Sequence, residues 1–266
     1  MNNNRKLLFF DIDGTLLTAY PWSIPESTRK ALEAARKNGH LLFVNSGRTY
    51  AMISPMVKEL GFDGYVCGCG SQIYMNNELL FSSSNPNPLC REVIETLRQC
   101  RISAFFERPD KILYDGSSKT LPKAIQNLKA EVSVEDLSLY EEETWNTFTF
   151  DKFLAFPDKD SDTETFRRFV DEHSSCFIHD DAAWEITQKN YSKATGIQFL
   201  ADRLGVPVKD TYAFGDSTND LLMLQFAGNS IAMGDSDPLI LPHCTYQTTN
   251  IEDNGIANAL KHFHLI

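Results

Sequence analysis

The stretch that most constrains the fold is an apolar run, Leu7–Phe10, which leads straight into Asp11, Asp13 and Gly14. A near-continuous apolar run is typical of a parallel strand that is covered on both faces. Ligands of open α/β sheets bind beyond the carboxyl ends of such strands, so both carboxylates are expected at a ligand site. Gly14 allows the positive φ of a tight turn there. The stretch therefore predicts an α/β fold with a site at the end of its first strand.

A calcium loop and a solvated turn are the alternatives for an Asp-x-Asp-Gly sequence. An EF-hand loop that starts at Asp11 needs a glycine at its sixth position and a glutamate at its twelfth. This chain has Leu16 and Trp22 at those positions, which excludes the calcium loop. The motif alone leaves the turn and the site open.

Composition narrows the class of protein. The 266 residues allow one large domain or two, and we favour two. A net charge of −11 disfavours nucleic acid as a partner. Only four apolar residues precede Asp11, too few for a signal peptide or a membrane span, so we expect a cytoplasmic protein with no membrane partner. The six cysteines include no Cys-x-x-Cys pair, which argues against structural zinc.

A second apolar run, His40–Asn45, ends in Ser46, Gly47 and Arg48. A helical pattern precedes it, so a right-handed strand–helix–strand unit is predicted, and both strand ends should face the same crevice. Ser46 and the N–H group that follows it can donate hydrogen bonds to phosphoryl oxygens. Ser46 can also serve as the N-cap of a helix predicted through Met52, Met56 and Leu60, and the two roles are compatible.

The middle of the chain has a different pattern of elements. A linker of serine, asparagine and proline from Ser82 to Pro88 precedes it. Runs of strands interrupted by helices follow, including a helix near Leu121–Lys129 and a strand near Phe148–Phe156, which is typical of an α+β unit. We therefore predict a core of residues 1–82 and 189–266 and an inserted α+β domain of residues 83–188.

The last third of the chain contains a further apolar run that leads into a glycine and carboxylates, like the first segment. A predicted helix carries Lys193, and the short apolar run Thr211–Phe214 then leads through Gly215 to Asp216, Asn219 and Asp220. Phosphoryl transfer needs an in-line nucleophile, cations on the phosphoryl oxygens and an acid for the leaving group. Asp11 needs no base to act as the nucleophile, Asp13 can be the acid, and Lys193 supplies a positive charge. Carboxylates of Asp11 and Asp216, with the backbone carbonyl of Asp13, suit Mg²⁺.

These four segments, in this order, resemble the haloacid dehalogenase (HAD) superfamily, and within it the Cof-type branch of sugar-phosphate phosphatases. The resemblance implies an α/β fold, a Rossmann-like doubly wound parallel sheet core with an inserted α+β cap domain for substrate specificity. It implies a magnesium-dependent phosphoric monoester hydrolase acting on small phosphorylated metabolites such as sugar phosphates, through an aspartyl-phosphate on Asp11. It gives acid–base work to Asp13. The implied phosphate-binding residues are Ile12, Ser46, Gly47, Arg48, Lys193 and Asn219, and the implied metal-site residues are Asp11, Asp13, Asp216 and Asp220.

Two other functions stay open beside hydrolysis. A phosphomutase of a related capped branch would need a second phosphate site, and the basic residues of the inserted segment are scattered. A catalytically idle phospholigand-binding protein is disfavoured because both carboxylates of the first motif are present. The segment Cys69-Gly70-Ser71 departs from the branch, which often has asparagine before the glycine, so contact of this loop with substrate is not predicted. Neither the physiological substrate nor the oligomeric state is predicted.

Overall fold

The computed structural model describes residues 5–117, 132–179 and 183–266; the helix predicted near Leu121–Lys129 lies outside these ranges. The chain divides into two compact units. The first contains Met1–Arg48, Ile53–Phe81 and Tyr191–Ile266, and the second contains Thr49–Met52 and Ser82–Asn190. Each unit is described in turn.

The first part of the chain alternates strands and helices and ends in three strands with no α-helix between them. Every side chain of the first strand is fully buried, as its apolar run predicts. The first helix buries Ala31, Leu32 and Ala35 on one face and has basic residues in its last turn, where they complement the helix dipole. The elements are β1 Leu7–Phe10, α1 Glu26–Lys37, β2 Leu41–Asn45, α2 Pro55–Lys58, β3 Gly64–Cys67, β4 Gln72–Met75 and β5 Glu78–Ser82.

The inserted part of the chain forms a second sheet with helices. Its described elements are α3 Asn87–Gln99, β6 Ser103–Glu107, β7 Ile112–Tyr114, β8 Val134–Asp136, α4 Glu142–Trp145, β9 Lys152–Phe156, α5 Thr163–His173, β10 Ser174–Ile178 and β11 Trp184–Gln188. The described strands follow the order β10-β11-β9-β6-β7-β8, and all pairs are antiparallel except β7 with β8. Side chains of Phe106, Phe150, Phe153 and Phe166 form the centre of this unit's apolar core.

The chain then returns to the first unit. The elements there are α6 Lys193–Leu204, β12 Thr211–Gly215, α7 Leu221–Phe226, β13 Asn229–Ala232, β14 Tyr246–Gln247 and α8 Gly255–His262. Gly205 ends α6 in the left-handed conformation that favours glycine.

The first unit is built on one sheet of order β14-β13-β12-β1-β2-β3-β4-β5 in the described residues. The strands from β14 to β3 are parallel, and β4 runs antiparallel to β3. In the central register Phe10 lies beside both Phe214 and Val44. The predicted doubly wound parallel sheet is therefore confirmed, and the carboxyl ends of β12, β1 and β2 lie side by side where the strand order reverses.

Some predicted elements differ from those observed. The helix predicted through Met52, Met56 and Leu60 is wrong: a 3₁₀ turn covers Tyr50–Met52 and the short helix α2 starts at Pro55. Proline lacks an N–H donor and disfavours helical backbone in the residue before it, so one helix cannot pass through this point. The strand predicted from Phe148 begins only at Lys152. Among the described residues, a helix with the length and apolarity of a membrane span is absent.

Candidate active site

Three aspartates from two adjacent strand ends form an acidic cluster in the first unit. Asp11 directly follows β1, and Asp216 and Asp220 follow β12. Each can offer a carboxylate oxygen that lies within 4.8 Å of the others. Asp11 is only 3% exposed and Asp220 is fully buried. The structure thus brings aspartates from these two strand ends together.

Lys193 supplies the positive charge at the cluster. It is the first residue of α6, whose start is fixed by a capping box between Ser192 and Thr195. The Lys193 Nζ atom donates to Asp11 Oδ1 at 2.7 Å, to Asp220 Oδ1 at 2.5 Å and to Asn219 Oδ1 at 3.3 Å. An ammonium has three donors, so this buried group is fully satisfied by three acceptors from the segments that follow β1 and β12.

The loop Cys69-Gly70-Ser71, whose role the sequence left open, packs against the start of α6. Gly70 has φ +90°, and a Cβ atom there would clash with the backbone of Ser192. The loop also holds the segment after β2, because Cys69 N donates to Ser46 O at 3.2 Å. Within this unit the loop therefore joins the Ser46 turn to the helix start that carries Lys193.

Asp13 points to a different partner. Its Oδ2 and Oδ1 atoms accept from Arg48 Nε at 2.9 Å and Arg48 Nη2 at 2.7 Å, a two-pronged pairing that fixes the plane of the carboxylate. The side chain of Asp13 is 54% exposed and that of Arg48 is 27% exposed. Asp13 is thus the open carboxylate of the site and Asp11 the enclosed one.

Gly14 and Thr15 position the carboxylate of Asp216. Gly14 has φ +78°, and a Cβ atom at this position would clash with the Asp216 carboxylate. Thr15 Oγ1 donates to Asp216 Oδ1 at 3.1 Å. A glycine is therefore required at position 14 both by the backbone conformation and by the carboxylate that occupies the space.

Asp220 organises the segment after β12. Its Oδ2 atom accepts from the backbone N–H groups of Asp216 at 3.0 Å and Ser217 at 3.3 Å. Ser217 Oγ donates to Asn219 Oδ1 at 2.9 Å. These bonds hold the turn that carries both Asp216 and Asn219, so Asp220 positions the cluster as well as belonging to it.

The remaining residues predicted to hold phosphate lie on two turns. Ile12 is buried, and its carbonyl accepts from Leu16 N at 2.9 Å and Leu17 N at 2.8 Å, which closes the turn after β1. Ser46 is 2% exposed, and its Oγ accepts from Arg48 N at 3.2 Å. Ser46 therefore closes a short turn through Gly47 and does not cap a long helix, which corrects that part of the prediction.

Burial and mutual repulsion set the electrostatics. Burial, and then the charge of Asp220, raise the pKa of Asp11 well above its usual range, while Lys193 opposes them. The same two causes raise the pKa of Asp216 to about 7. Burial lowers the pKa of Lys193, but the charges of Asp11 and Asp220 outweigh it and hold that pKa above its usual value. The cluster thus has more negative charge than its one lysine can balance.

The chemistry of this donor set suits a divalent cation. Three carboxylates against one ammonium leave two uncompensated negative charges when all groups are ionised. Hard carboxylate oxygens are the ligands that Mg²⁺ prefers. The donor set is Asp11, Asp216 and Asp220. The side chain of Asp13 pairs with Arg48, and the prediction assigns only the backbone carbonyl of Asp13 to the metal.

Two positioning residues were missed by the sequence argument. Asn45 is fully buried at the end of β2 and its Nδ2 donates to Lys193 O at 3.0 Å. Thr15 is fully buried and bonds Asp216. For Asn45 the sequence does show a polar residue at the end of an apolar run. Sequence spacing does not reveal the distant residue that it bonds.

A family model described as haloacid dehalogenase-like hydrolase matches residues 8–260. The chain belongs to this family. The predicted superfamily is therefore confirmed, and the chain is an enzyme of the hydrolase class. Relatives named as phosphatases agree with the predicted phosphatase type.

Three similar proteins illustrate the relationship. A Bacillus subtilis protein provisionally named phosphatase YkrA is 28% identical, with 99% of both chains covered. The 5-amino-6-(5-phospho-D-ribitylamino)uracil phosphatase YitU of the same organism is 25% identical, again over 99% of both chains. A solved structure titled as the HAD subclass IIB sugar phosphatase BT4131 has a TM-score of 0.82 and 26% identity, and covers 98% of this chain and 100% of its own.

Proposed function

We propose that the chain is a magnesium-dependent phosphatase that hydrolyses small phosphorylated metabolites through an aspartyl-phosphate on Asp11. The observation that supports this most is the pairing of a buried nucleophile with a buried cation, Asp11 Oδ1 with Lys193 Nζ at 2.7 Å. A carboxylate at this place can attack phosphorus without a general base. The ammonium beside it would reduce the repulsion between the carboxylate and an incoming phosphate.

Asp11 would act as the nucleophile and Asp13 as the acid and base of two half-reactions. In the first, an Asp11 oxygen bonds to phosphorus as the bond to the alcohol oxygen breaks, and Asp13 gives that oxygen a proton. In the second, Asp13 takes a proton from water, the water oxygen bonds to phosphorus, and the bond to Asp11 breaks. The exposure of Asp13 supports this assignment, because the acid–base group has to reach the leaving alcohol and water.

Phosphate oxygens would be held by groups that the two turns and α6 present. The N–H groups at Ile12 and Gly47, with Ser46, are donors on the turns after β1 and β2. Arg48 would move between Asp13 and the phosphate, since one guanidinium can serve either carboxylate or phosphate. Lys193, which bonds both Asp11 and Asn219, completes the set together with Asn219.

Mg²⁺ would be held by Asp11, Asp216 and Asp220, with the backbone carbonyl of Asp13 as a further donor. When bound, it supplies positive charge to the phosphoryl oxygens and balances the excess negative charge of the cluster. Asp220 has a second duty, since its Oδ2 bonds the turn that carries Asp216. The three residues therefore would differ in role, and Asp220 is the one tied most tightly to the protein.

Sugar phosphates are the substrate class to test first, because a sugar phosphatase and a phosphoribitylamino-uracil phosphatase are among the similar proteins. We also propose that the inserted unit carries substrate specificity and that the protein acts in the cytoplasm. Neither a phosphomutase nor an idle binding protein is favoured by an observation in the described residues.

The test combines product release with capture of the intermediate. Purified protein with magnesium is screened against phosphorylated sugars, sugar alcohols, nucleotides and cofactors for released phosphate. Acid quench followed by borohydride reduction converts an aspartyl-phosphate to homoserine, which mass spectrometry would place at position 11. Released phosphate with homoserine there supports the proposal; release with homoserine elsewhere, or no release from any substrate, would contradict it.

A further inference from the structure

Two exposed aromatic side chains stand at the tip of the loop between β1 and α1. Tyr20 is 86% exposed and Trp22 is 55% exposed. Their ring centroids are 6.3 Å apart and the rings meet edge to face at 81°. The other exposed large apolar side chains in the described part of the chain are aliphatic: Leu79, Leu139, Ile178, Leu222 and Leu239.

The loop that presents this pair is closed by its own hydrogen bonds. Thr18 N donates to Ser23 O at 3.0 Å, and Ser23 N donates to Thr18 Oγ1 at 3.0 Å. Thr18 Oγ1 also donates to Pro21 O at 3.2 Å. Thr18 and Ile24, on either side of the tip, are buried. The base is thus anchored, and the aromatic rings are held out by an ordered turn.

The loop starts beside the open carboxylate of the site. Asp13 and Leu17 form a β-bridge, and Gly14 N donates to Leu17 O at 3.0 Å. Tyr20 follows Leu17 by three residues, so their Cα atoms are at most about 11 Å apart. An acid at Asp13 needs the leaving oxygen within about 3 Å of its carboxylate. The alcohol part of a substrate therefore begins next to the residue from which this loop extends.

We propose that Tyr20 and Trp22 bind a flat aromatic or heteroaromatic ring in the alcohol part of the substrate. The proposal rests on the phosphatase function proposed above and narrows its substrates to phosphomonoesters with a ring a few bonds from the phosphate. Two rings at right angles offer one face for stacking and one edge for contact, the two arrangements that aromatic pairs prefer. A phosphorylated sugar that carries such a ring satisfies both proposals.

The kinetic test uses two substrates with the same leaving-group chemistry. 2-Phenylethyl phosphate and ethyl phosphate are both alkyl esters and differ by the ring. The ratio of their kcat/KM values should fall about tenfold in the variant with both Tyr20→Ala and Trp22→Ala, and less in each single variant. Trp22→Phe keeps an aromatic face, so this variant should retain most of the wild-type ratio. Leu79→Ala, at another exposed apolar residue of the same unit, should leave the ratio unchanged.

A binding measurement separates this proposal from the phosphatase function. In an Asp11→Asn background, 4-nitrobenzyl phosphate should quench tryptophan emission, and Trp22→Phe should remove most of that quench. Trp145→Phe, in the second unit, serves as the matched control and should retain it.

Each outcome decides one proposal. Turnover of ethyl phosphate, with a ratio that no variant changes and a quench that does not depend on Trp22, would overturn the aromatic site and leave the phosphatase standing. Turnover of neither ester would count against the phosphatase. In that case the fluorescence quench alone tests the aromatic site. A quench that Trp22→Phe removes supports the site, and a quench that this variant retains overturns it.

Discussion

The Lys193 ammonium lies between the carboxylates of Asp11 and Asp220, 2.7 Å from one and 2.5 Å from the other. Its side chain is 2% exposed, so the two ion pairs are shielded from water and salt. The two pairs join the end of β1 to the turn after β12 through the first residue of α6. One buried cation therefore both orders the site and offsets its negative charge.

We expect Lys193→Met to lower kcat by about 10² to 10³, the usual loss when one preorganised electrostatic donor is removed. Lys193→Arg should also lose activity, because a planar guanidinium cannot direct three donors to the same acceptors. Steady-state kinetics on a phosphomonoester measures both losses. Lys209→Met, at an exposed lysine of the same unit, is the matched control. An active Lys193→Met enzyme would contradict the assigned role.

Asp11→Asn should abolish turnover while leaving the fold intact, because it removes the nucleophile but keeps its size and its acceptor for Lys193. Removing one of three crowded carboxylates also relieves repulsion. The melting temperature without metal should therefore equal or exceed that of the wild type. Calorimetry and a phosphate-release assay on the same preparation provide the check; near-normal turnover in this variant would refute the nucleophile.

The pH dependence of metal binding should follow the raised pKa of Asp216, about 7. Between about pH 4 and that value, the metal-free folded protein holds a proton that the unfolded chain has released, so the unfolding free energy falls as pH rises. Magnesium replaces that proton. The increase in melting temperature caused by magnesium should thus be larger at pH values above about 7 than below about 5.

Asp216→Asn is the control for that experiment. It removes the titrating group, so the magnesium effect should become small at both pH values. An equal magnesium shift at both pH values in the wild type would count against proton displacement from this cluster.

A second buried lysine should control the stability of the inserted unit. Lys152 is 3% exposed and ion-pairs with Glu107 at 3.3 Å and with Glu185. Lys152→Met would leave two buried carboxylates without their cation, at a cost of about 3–5 kcal/mol in unfolding free energy. Lys37→Met breaks an exposed pair with Glu33 and should cost under about 0.5 kcal/mol. Denaturant unfolding of both variants provides the comparison.

Low pH should reduce the difference in unfolding free energy between the wild type and Lys152→Met. Burial raises the pKa of Glu185, but Lys152 and a hydrogen bond from His179 outweigh it, so the pKa lies below its usual value. A lowered carboxylate pKa stabilises the fold above the unfolded-state value and loses that effect as pH falls below it. If the difference in unfolding free energy stays constant below about pH 4, the ion pair is not its cause.

The parts of this site that could be predicted are those fixed by local pattern. The buried run Leu7–Phe10 specified a covered parallel strand, and the rule that ligands bind at carboxyl strand ends then placed Asp11 and Asp216 at one edge. The helix that carries Lys193 was likewise predicted from its local sequence, and it begins at that residue after the Ser192 cap. Each of these depends on residues that are close together in the chain.

The features that the sequence did not predict depend on distant partners, and one helix was predicted wrongly. Asn45 bonds a carbonyl 148 residues away, and no spacing rule connects the two. The ion pair of the Asp13 side chain with Arg48, 35 residues away in sequence, was likewise not predicted. Pro55 ended a helix whose apolar spacing alone predicted a longer one.

The role of Asp13 gives the most discriminating prediction. Asp13→Asn keeps the backbone, and so the carbonyl that would bind magnesium, but removes the group that gives and takes the proton. Turnover should fall by about 10² to 10⁴. Arg48 loses the carboxylate that its two N–H groups bond, so KM can change in either direction as the guanidinium turns to phosphate. The loss in kcat is therefore the informative quantity.

The size of that loss should depend on the leaving group. An alkyl oxygen leaves poorly without a proton, whereas an aryl oxygen leaves as a stabilised anion and needs the acid less. With an aryl phosphate the first step of Asp13→Asn should suffer less than the second, and the aspartyl-phosphate should accumulate. Rapid-quench kinetics on both ester types tests this, with Asp210→Asn, which breaks a peripheral pair with Lys6, as control. Equal losses on alkyl and aryl esters, with no trapped intermediate, would mean that Asp13 transfers no proton in either step.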